Sequence, residues 1–567
     1  MDLEELKVTD EWTLFEKGKS FMRRMNMFTD TDKNYRMYSG NQWEGAKIEG
    51  IEQAQYNFIE TIVNYKVSTI NQNLWGINYS SENFEDREFR KTAEGTCKLL
   101  NKKASKVWEK DSMDFKVREV SEDSAVNDEG VMYVNYDIDT QEPLNEIINK
   151  TDIQYGNENS SDIQSQPYII ISQRKSVIEI QNLARKEGVS EEQIKNIKGD
   201  SDYFEEAGES AKYEKDNKCT LITKMWKEEG KVKFVKSTKY VVVKKESNSG
   251  LSLYPVAHYP WKTKKGSARG EGEVRYLIPN QLELNKTLAR MLLSVKQNAY
   301  PTKVVAIDKI SNPNAINQVG GTIKARGQSV DDVNKVFTTI APAQMSTDVS
   351  KTINDLISIT RELKNSSDIA TGGVNPTEAS GKAILAVQQA SQQPMTKQLT
   401  GLKIFIEDLA RIWLDMWVTY SQDGMKLEEE KTDPTTGEEY VELVDIPSSV
   451  LENLKGTVKV DITPKSSYDK YARELTLENF LKAGYFNPQK LGELKVYAKI
   501  LPDDAIAPKQ DILKAIEIEE EEQRKIAQIN AQAQIMQQRA SQFINGDVEQ
   551  QASQIADAQN MEETPIQ

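Results

Sequence analysis

Apolar residues recur at spacings of three and four through residues 53–75, where Tyr56, Ile59, Ile62, Val63, Val67, Ile70 and Leu74 share one face; that period predicts a helix. Residues 87–108 repeat it with Phe89, Ala93, Cys97, Leu100, Ala104 and Val107, which makes Cys97 a small apolar member of the stripe. A shorter helix is expected at 115–126. Asp128-Glu129-Gly130 then turns the chain into 131–136, a predicted strand of branched and aromatic residues. The polar stretch 139–168, centred on Asn157-Glu158-Asn159-Ser160-Ser161, predicts a surface excursion. Val189-Ser190-Glu191-Glu192-Gln193 has the form of a capped helix start. Across 219–245 the period falls to two. Lys231-Val232-Lys233-Phe234 alternates after the Glu228-Glu229-Gly230 turn, as a half-buried hairpin strand does, and its lysines belong to a solvated face.

The helical period then returns and lengthens. Leu277, Leu282, Leu284, Leu288, Met291, Leu292 and Val295 mark a helix over 273–297, which Tyr300-Pro301 stops. Residues 302–345 carry short strand-like pieces among loops rich in Asn, Gly and Pro. A second helix is predicted at 347–364, with Ile353, Leu356, Ile357 and Leu363 on one side, and a polar loop, 365–375, follows. Asn375-Pro376-Thr377-Glu378 is a helix start: Asn caps, Pro suits the first helical position and Glu the third. The helix it opens is expected to reach 421, with Leu402, Phe405, Leu409, Ile412, Trp413, Met416, Trp417 and Tyr420 in strong 3.6 period and a kink at Pro394. Asp433-Pro434-Thr435-Thr436-Gly437 predicts a turn between extended segments, and Val458, Val460 and Ile462 alternate as in a strand. Past Tyr468 helix is expected again, broken at Gly484, Pro488, Pro502 and Pro508. Residues 523–567 hold 12 glutamines after Glu517, Glu519, Glu520, Glu521 and Glu522, which predicts a helix assembled with copies of itself and then a disordered end. No internal repeat is evident.

Composition narrows the classes. The 567 residues exceed what a single core organises, and about three to five domains or lobes are expected. A hydrophobic share of 38% supports real cores, while 28% charged residues and a mean hydropathy of -0.63 describe a well-hydrated exterior. No apolar run approaches the roughly 18 residues a membrane span requires, and the start, Met1-Asp2-Leu3-Glu4-Glu5, lacks the pattern of a signal peptide. Cys97 and Cys219 lie far apart, as in a fold without disulfides in a reducing compartment. His258 is the only histidine, so most Cys/His metal sites and most His-based acid–base mechanisms are excluded by inventory. A net charge of -15 argues against a broad nucleic-acid-gripping surface, since tight non-specific binding needs many lysines and arginines acting together. An acidic protein can still handle DNA that must slide.

Chemical motifs fail one by one. Ser380-Gly381-Lys382 comes nearest to a phosphate-binding loop, but Ala383 replaces the metal-binding hydroxyl and Pro376 occupies the first glycine. Gly321 and Gly327 stand one residue too far apart and lack the following lysine, and Gly270 and Gly272 lack the third glycine of a dinucleotide fingerprint. No acidic run has calcium-loop spacing. No catalytic residue, cofactor or metal is expected, and the chain is not expected to be an enzyme.

The order of elements is more informative: long helix, small β-containing excursion, shorter helix, polar loop, long kinked helix. It resembles the tailed-bacteriophage portal (head-to-tail connector) family. Tyr35-Arg36-Met37-Tyr38-Ser39-Gly40-Asn41-Gln42-Trp43 is similar to the family's N-terminal stretch, in which a short helix ends at Tyr-x-Gly. Ala125-Val126-Asn127-Asp128-Glu129-Gly130-Val131-Met132-Tyr133-Val134 resembles its entry into the wing. Gly270-Glu271-Gly272-Glu273-Val274 through Gln281-Leu282-Glu283-Leu284-Asn285-Lys286 resembles its entry into the first stem helix, and Pro376-Thr377-Glu378-Ala379-Ser380-Gly381-Lys382-Ala383-Ile384 the helix after its tunnel loop. The resemblance covers roughly residues 30–470; the polar stretch 139–168 and the Gln-rich tail depart from it.

The resemblance implies an α+β, mainly helical portal fold, assembled as a ring, typically twelve-fold, around an axial channel. It places N-terminal helices and wing at 1–272 (β-rich over 131–250), stem helices at 273–298 and 347–364, and a clip at 299–346 between them. It places a tunnel loop at 365–377, the long helix and wing strands at 378–466, a crown at 467–522 and a tail at 523–567. Such a ring packages and ejects double-stranded DNA at one capsid vertex of a virion made in the bacterial cytoplasm. Its implied partners are further copies of itself, the terminase large subunit, head-completion or neck adaptors, and major capsid and scaffolding proteins, with no membrane. Asn365, Ser366, Ser367, Asp368, Thr371, Gly372, Gly373 and Asn375 are then the loop residues that meet DNA. Lys286, Arg290, Lys296 and Lys364 are candidates to line the channel; the stem cations, Arg275 included, could equally pair with acids of neighbouring subunits. A channel lined densely with cations would trap the duplex at each phosphate, and the loop holds Asp368 with no Lys or Arg. Two rival classes stay open: another ring-forming head–tail or tail adaptor, and a carboxylate-metal nuclease.

Overall fold

Thr9 opens the first helix, α1 (Asp10–Arg24), with an extended backbone and a side chain that accepts from the Trp12 amide, satisfying one of the first turn's unpaired donors. Asp10 and Glu11 at its start and Arg23 and Arg24 at its end complement the helix dipole. The computed structural model of the chain describes residues 7–44, 53, 55–72, 75–81, 87–200, 217–299, 302–318, 322–326, 337–340, 348–364, 393–421, 424–432, 439–455 and 458–462, and then 477, 479–482, 490–500, 512–513, 515–520 and 522–535. The chain divides into two units, Met1–Pro464 and Lys465–Gln567.

In the first unit α2 (Met27–Tyr38), α3 (Phe58–Ile70), β1 (Ile77–Ser81), α4 (Arg87–Lys110) and α5 (Met113–Asn127) lead into two antiparallel sheets. One has the order β3-β2-β9, from β2 (Glu129–Asp137), β3 (Glu142–Ile148) and β9 (Val256–Pro260). The other has the order β4-β5-β6-β7-β8, from β4 (Ile153–Tyr155), β5 (Ile169–Ser176), β6 (Lys218–Glu228), β7 (Lys231–Ser237) and β8 (Val242–Asn248). Between β5 and β6 stand α6 (Val177–Lys186) and α7 (Glu191–Ile194). Next come α8 (Val274–Ala299), β10 (Thr302–Val305), β11 (Phe337–Ile340), α9 (Asp348–Leu363) and α10 (Thr396–Tyr420). The unit ends with β12 (Met425–Thr432), β13 (Glu439–Ile446), α11 (Ser448–Lys455) and β14 (Val458–Ile462). β12 pairs with β13, and β14 pairs with β1, Ile462 opposite Ile77, so the unit's last strand returns to its first. The second unit holds α12 (Leu491–Ile500), between the expected breaks at Pro488 and Pro502, and helical residues 515–520 and 522–535. Ile518, Ile526, Ile529 and Ile535 are exposed there.

The main core joins α3, α4, α5, both sheets, the start of α8 and α10. Three of its buried aromatic residues pair their polar tips across the core: Tyr79 Oη donates to the Ala410 carbonyl at 2.9 Å, Tyr259 Oη to that of Gln398 at 3.0 Å, and Trp413 Nε1 to Asn145 Oδ1 at 2.9 Å. Trp12 and Phe15 seat α1 on Ile170 and Ile222 of the five-stranded sheet. Cys97 lies in the main core and Cys219 under α6; burial pushes their thiols up to about 11 and about 12, so both behave as apolar residues.

Several expectations need correction. Residues 139–168 are largely built in: β3 and β4 arise there, Ile163 and Gln166 are buried, and Gln166 ties the segment together through Asn157 and Ser160. The expected exposure is kept at Asp139, Thr140 and Gln141, at alternate positions of β3 and at Asn157, Asn159, Ser161 and Asp162. The helix expected at 53–75 is shorter, because Asn57 caps it and Asn71 ends it. Pro394 sits in a 3-10 turn, Gln393–Met395, that leads into α10, so no kink falls within α10; residues 378–392 lie outside the described set. The turn expected at 433–437 also lies outside, between the paired strands β12 and β13.

Candidate functional site

α8 and α9 form an antiparallel pair. Asn280 Nδ2 donates to Thr360 Oγ1 at 3.1 Å near the base, and further out Leu284 and Leu288 pack with Ile353, flanked by Met291, Val349, Leu356 and Ile357. The helices expected at 273–297 and 347–364 are found within a residue or two of those bounds. β10 and β11, Thr302 opposite Ile340, pair in the excursion between them. The apolar stripes do not stay covered: Val295, beyond the part of α8 that α9 shields, is 59% exposed, and Leu363 at the base end of α9 is 73% exposed.

The base of α8 is held by buried polar groups from distant segments. Gln281 and Asn285, both buried, join a run of amides: Gln281 Nε2 donates to the Tyr56 carbonyl at 2.8 Å and to Asn285 Oδ1 at 2.9 Å, and Asn285 Nδ2 donates to Gln42 Oε1 at 2.6 Å. Gln42 Nε2 donates in turn to Asn57 Oδ1 at 2.9 Å. Just before the first residue of α8 the Glu273 amide donates to the Ala125 carbonyl at 2.7 Å, and the Gly272 amide to Asp128 Oδ1 at 2.7 Å. The three described segments that carry the family resemblance, 35–43, 125–134 and 270–286, therefore meet in space. Gly130, Gly270 and Gly272 permit the approach: a Cβ on Gly130 would lie 2.2 Å from the Val120 carbonyl oxygen, and one on Gly270 2.3 Å from that of Asp128.

Around this meeting point lies a buried ionic network. Glu273, 1% exposed, takes Lys66 at 3.1 Å, Lys262 at 3.1 Å and Lys364 at 2.8 Å. Burial alone would raise its carboxyl, but Lys66, Lys364 and Lys262 hold it far below the usual carboxylate range. Burial pushes the Lys66 amine down, with Lys364 and Lys262 acting in the same direction against Glu273. Beside it Glu129 accepts from Arg269 at 2.5 Å and lies 3.0 Å from His258 Nε2; Arg269 also bridges Glu158 and the carbonyls of Lys150 and Ile153. Burial would raise the Glu129 carboxyl, yet Arg269, His258 and Lys150 bring it to about 2. Lys150 pairs with Asp128. Such a network fixes geometry and is poor at proton transfer, since its carboxylates stay ionised. No group of three His, Cys, Asp or Glu able to hold a metal occurs among the described residues.

Of the sequence-derived candidates, Lys286 and Arg290 share an exposed face of α8, with Glu283 3.9 Å from Lys286, and Lys296 is exposed near its end. Lys364 turns onto Glu273 and is 19% exposed. Arg275 pairs with Asp30 of its own chain at 3.1 Å. Asn365, Ser366, Ser367, Asp368, Thr371, Gly372, Gly373 and Asn375 lie outside the described residues. Sequence reasoning missed the ionic base, although charges beside crowding glycines in Asp128-Glu129-Gly130 and Gly270-Glu271-Gly272-Glu273 were its visible sign.

No curated protein matches the chain. A family model described as Phage P22-like portal protein matches residues 148–563. That range includes α8, α9 and the Gln-rich tail that the motifs leave out, and it begins after the two N-terminal motifs. With its helix pair and most of its length inside one match, this chain belongs to the P22-like phage portal protein family.

Proposed function

We propose that copies of this chain close into a ring, twelve by family expectation, around a channel through which double-stranded DNA is packaged and later released at one capsid vertex. In this reading α8 and α9 are the stem and the excursion containing β10 and β11 is the clip. The clip meets the terminase large subunit and later the neck adaptors, while major capsid and scaffolding proteins surround the wing. Residues 365–377 are the loop toward the duplex, and the crown and tail follow 467. The chain acts as a passive conduit, and ATP turnover belongs to the motor that docks on it.

The observation that carries this reading is the antiparallel α8–α9 pair, which lies within the matched range and is rooted in a buried ionic base. A stem that bears load needs a stiff root, and Lys66 of α3 with the β9–α8 connection supplies one. The exposed Val295, Ile359 and Leu363 suit it as well, being side chains a neighbouring copy would cover. The exposed cations Lys286, Arg290 and Lys296 are few enough to let a duplex slide.

End-on electron microscopy and native mass spectrometry of the purified chain test it. Closed rings with an opening that admits duplex DNA are expected. A stable monomer or dimer at micromolar concentration in near-physiological salt overturns the reading.

A further inference from the structure

One negative charge on Glu273 faces three positive ones. Lys66, Lys262 and Lys364 all approach its carboxylate, and the Trp261 indole N–H adds a fourth donor at 3.3 Å. A single carboxylate does not need three ammonium groups, and their mutual repulsion offsets part of the attraction. The three are not equivalent. Lys66 sits within α3 with its side chain 7% exposed, so it is fixed. Lys262 follows β9 and is 36% exposed. Lys364 directly follows the last residue of α9; one turn earlier Thr360 is buried and held by Asn280, whereas the adjacent Leu363 is 73% exposed. The Lys364 amide closes the last turn on the Thr360 carbonyl at 3.1 Å, so its long side chain can swing while the backbone stays anchored. Lys364 also lies 5.2 Å from the Tyr276 ring centre and Lys262 5.6 Å from it, so the departing cation has an aromatic face beside its present site.

Resting on the ring-and-channel reading above, we propose that Lys364 is a transferable cation, held on Glu273 in the empty channel and handed to a DNA phosphate when a duplex is present. Lys66 and Lys262 remain to neutralise Glu273, so the transfer leaves no uncompensated buried charge. One charge-assisted hydrogen bond replaces another. The bond to each phosphate is thereby weakened by the ion pair it must break. Glu273 acts as a built-in competitor that keeps the cation from gripping DNA, and the duplex can slide.

The test compares wild-type, Lys364→Ala and Lys66→Ala chains in two measurements. Thermal unfolding should show Lys364→Ala close to wild type and Lys66→Ala several degrees lower. Binding of a short duplex to purified rings across a salt series should show a shallower dependence for Lys364→Ala, by about 0.9 in log–log slope for each phosphate that is no longer neutralised. An unchanged slope, in rings whose wild type does bind duplex with salt dependence, overturns the proposal and leaves the ring intact. Equal loss of thermal stability in both variants makes Lys364 a fixed structural pin and also overturns it. If the wild-type chain forms no ring, the functional reading fails and this proposal with it.

Discussion

Asn285 donates its side-chain amide to Gln42 Oε1 across 2.6 Å, and both residues are buried. The bond ties the stretch after α2 to α8, two segments separated by most of the β-rich part of the chain. Either partner removed leaves a buried polar group unsatisfied, which costs about 1–3 kcal/mol. Gln42→Ala and Asn285→Ala should each lower the urea midpoint, and the double variant should cost less than the sum of the two. Strict additivity would show that the amide run does not act as a unit.

Glu273→Gln removes the counter-charge of three lysines while keeping the side chain's shape. Breaking a buried ionic cluster from one side costs about 3–5 kcal/mol, so this variant should be among the most damaging single changes at the base of α8. Adding Lys66→Met should restore part of the loss, because the most deeply buried of the three cations is then gone. Thermal midpoints of the wild type, single and double variants check both statements.

Acid should loosen the same region through Glu129. Its carboxyl lies at about 2 in the folded chain against 4.5 ordinarily, so the folded state binds the proton less readily. The stabilisation is fully present above about pH 4.5 and is lost as pH falls toward 2, a contribution on the order of 3 kcal/mol. Urea midpoints measured from pH 6 down to pH 3 should fall more steeply for the wild type than for Glu129→Gln, which has no proton to take up at that position.

Alanine should have opposite effects at different glycines. At Gly130 and Gly270 the new Cβ would meet backbone oxygens at 2.2 and 2.3 Å, so the backbone itself must move and both variants should unfold early. At Gly95, exposed in α4 with nothing within 4 Å of a new Cβ, alanine should stabilise by roughly 0.5–1 kcal/mol. Circular dichroism melts of the three variants give the comparison.

Much of the helical frame was legible because a stripe such as Leu277, Leu284 and Leu288 encodes a face directly in its spacing. The strand entry after Asp128-Glu129-Gly130 was legible from its branched and aromatic residues, which suit a strand buried on both faces. The ionic base was not. Glu273, Lys66, Lys262 and Lys364 each look like ordinary solvated charges, and what buries them is their convergence from separate elements, which no local window contains. Residues 139–168 misled in the same way: a polar composition does not reveal that Gln166 satisfies its own loop while Ile153 and Ile163 are packed inside. Leu363 misled in reverse, an apolar position on a predicted stripe that its own chain leaves uncovered.

The pairing of β1 with β14 has a consequence in time. At a synthesis rate of about 5–20 residues per second, roughly 20–80 s separate the emergence of β1 from that of its partner. Throughout that interval β1 is a strand edge without its mate, while many copies of the same chain are being made nearby, and an unmated edge is a template for wrong pairing. The first unit therefore cannot finish folding piecemeal from its N-terminus; its closing step waits for residue 462. Truncations that stop short of β14 should aggregate even when every earlier element is present, and the nascent chain is where a chaperone has most to protect.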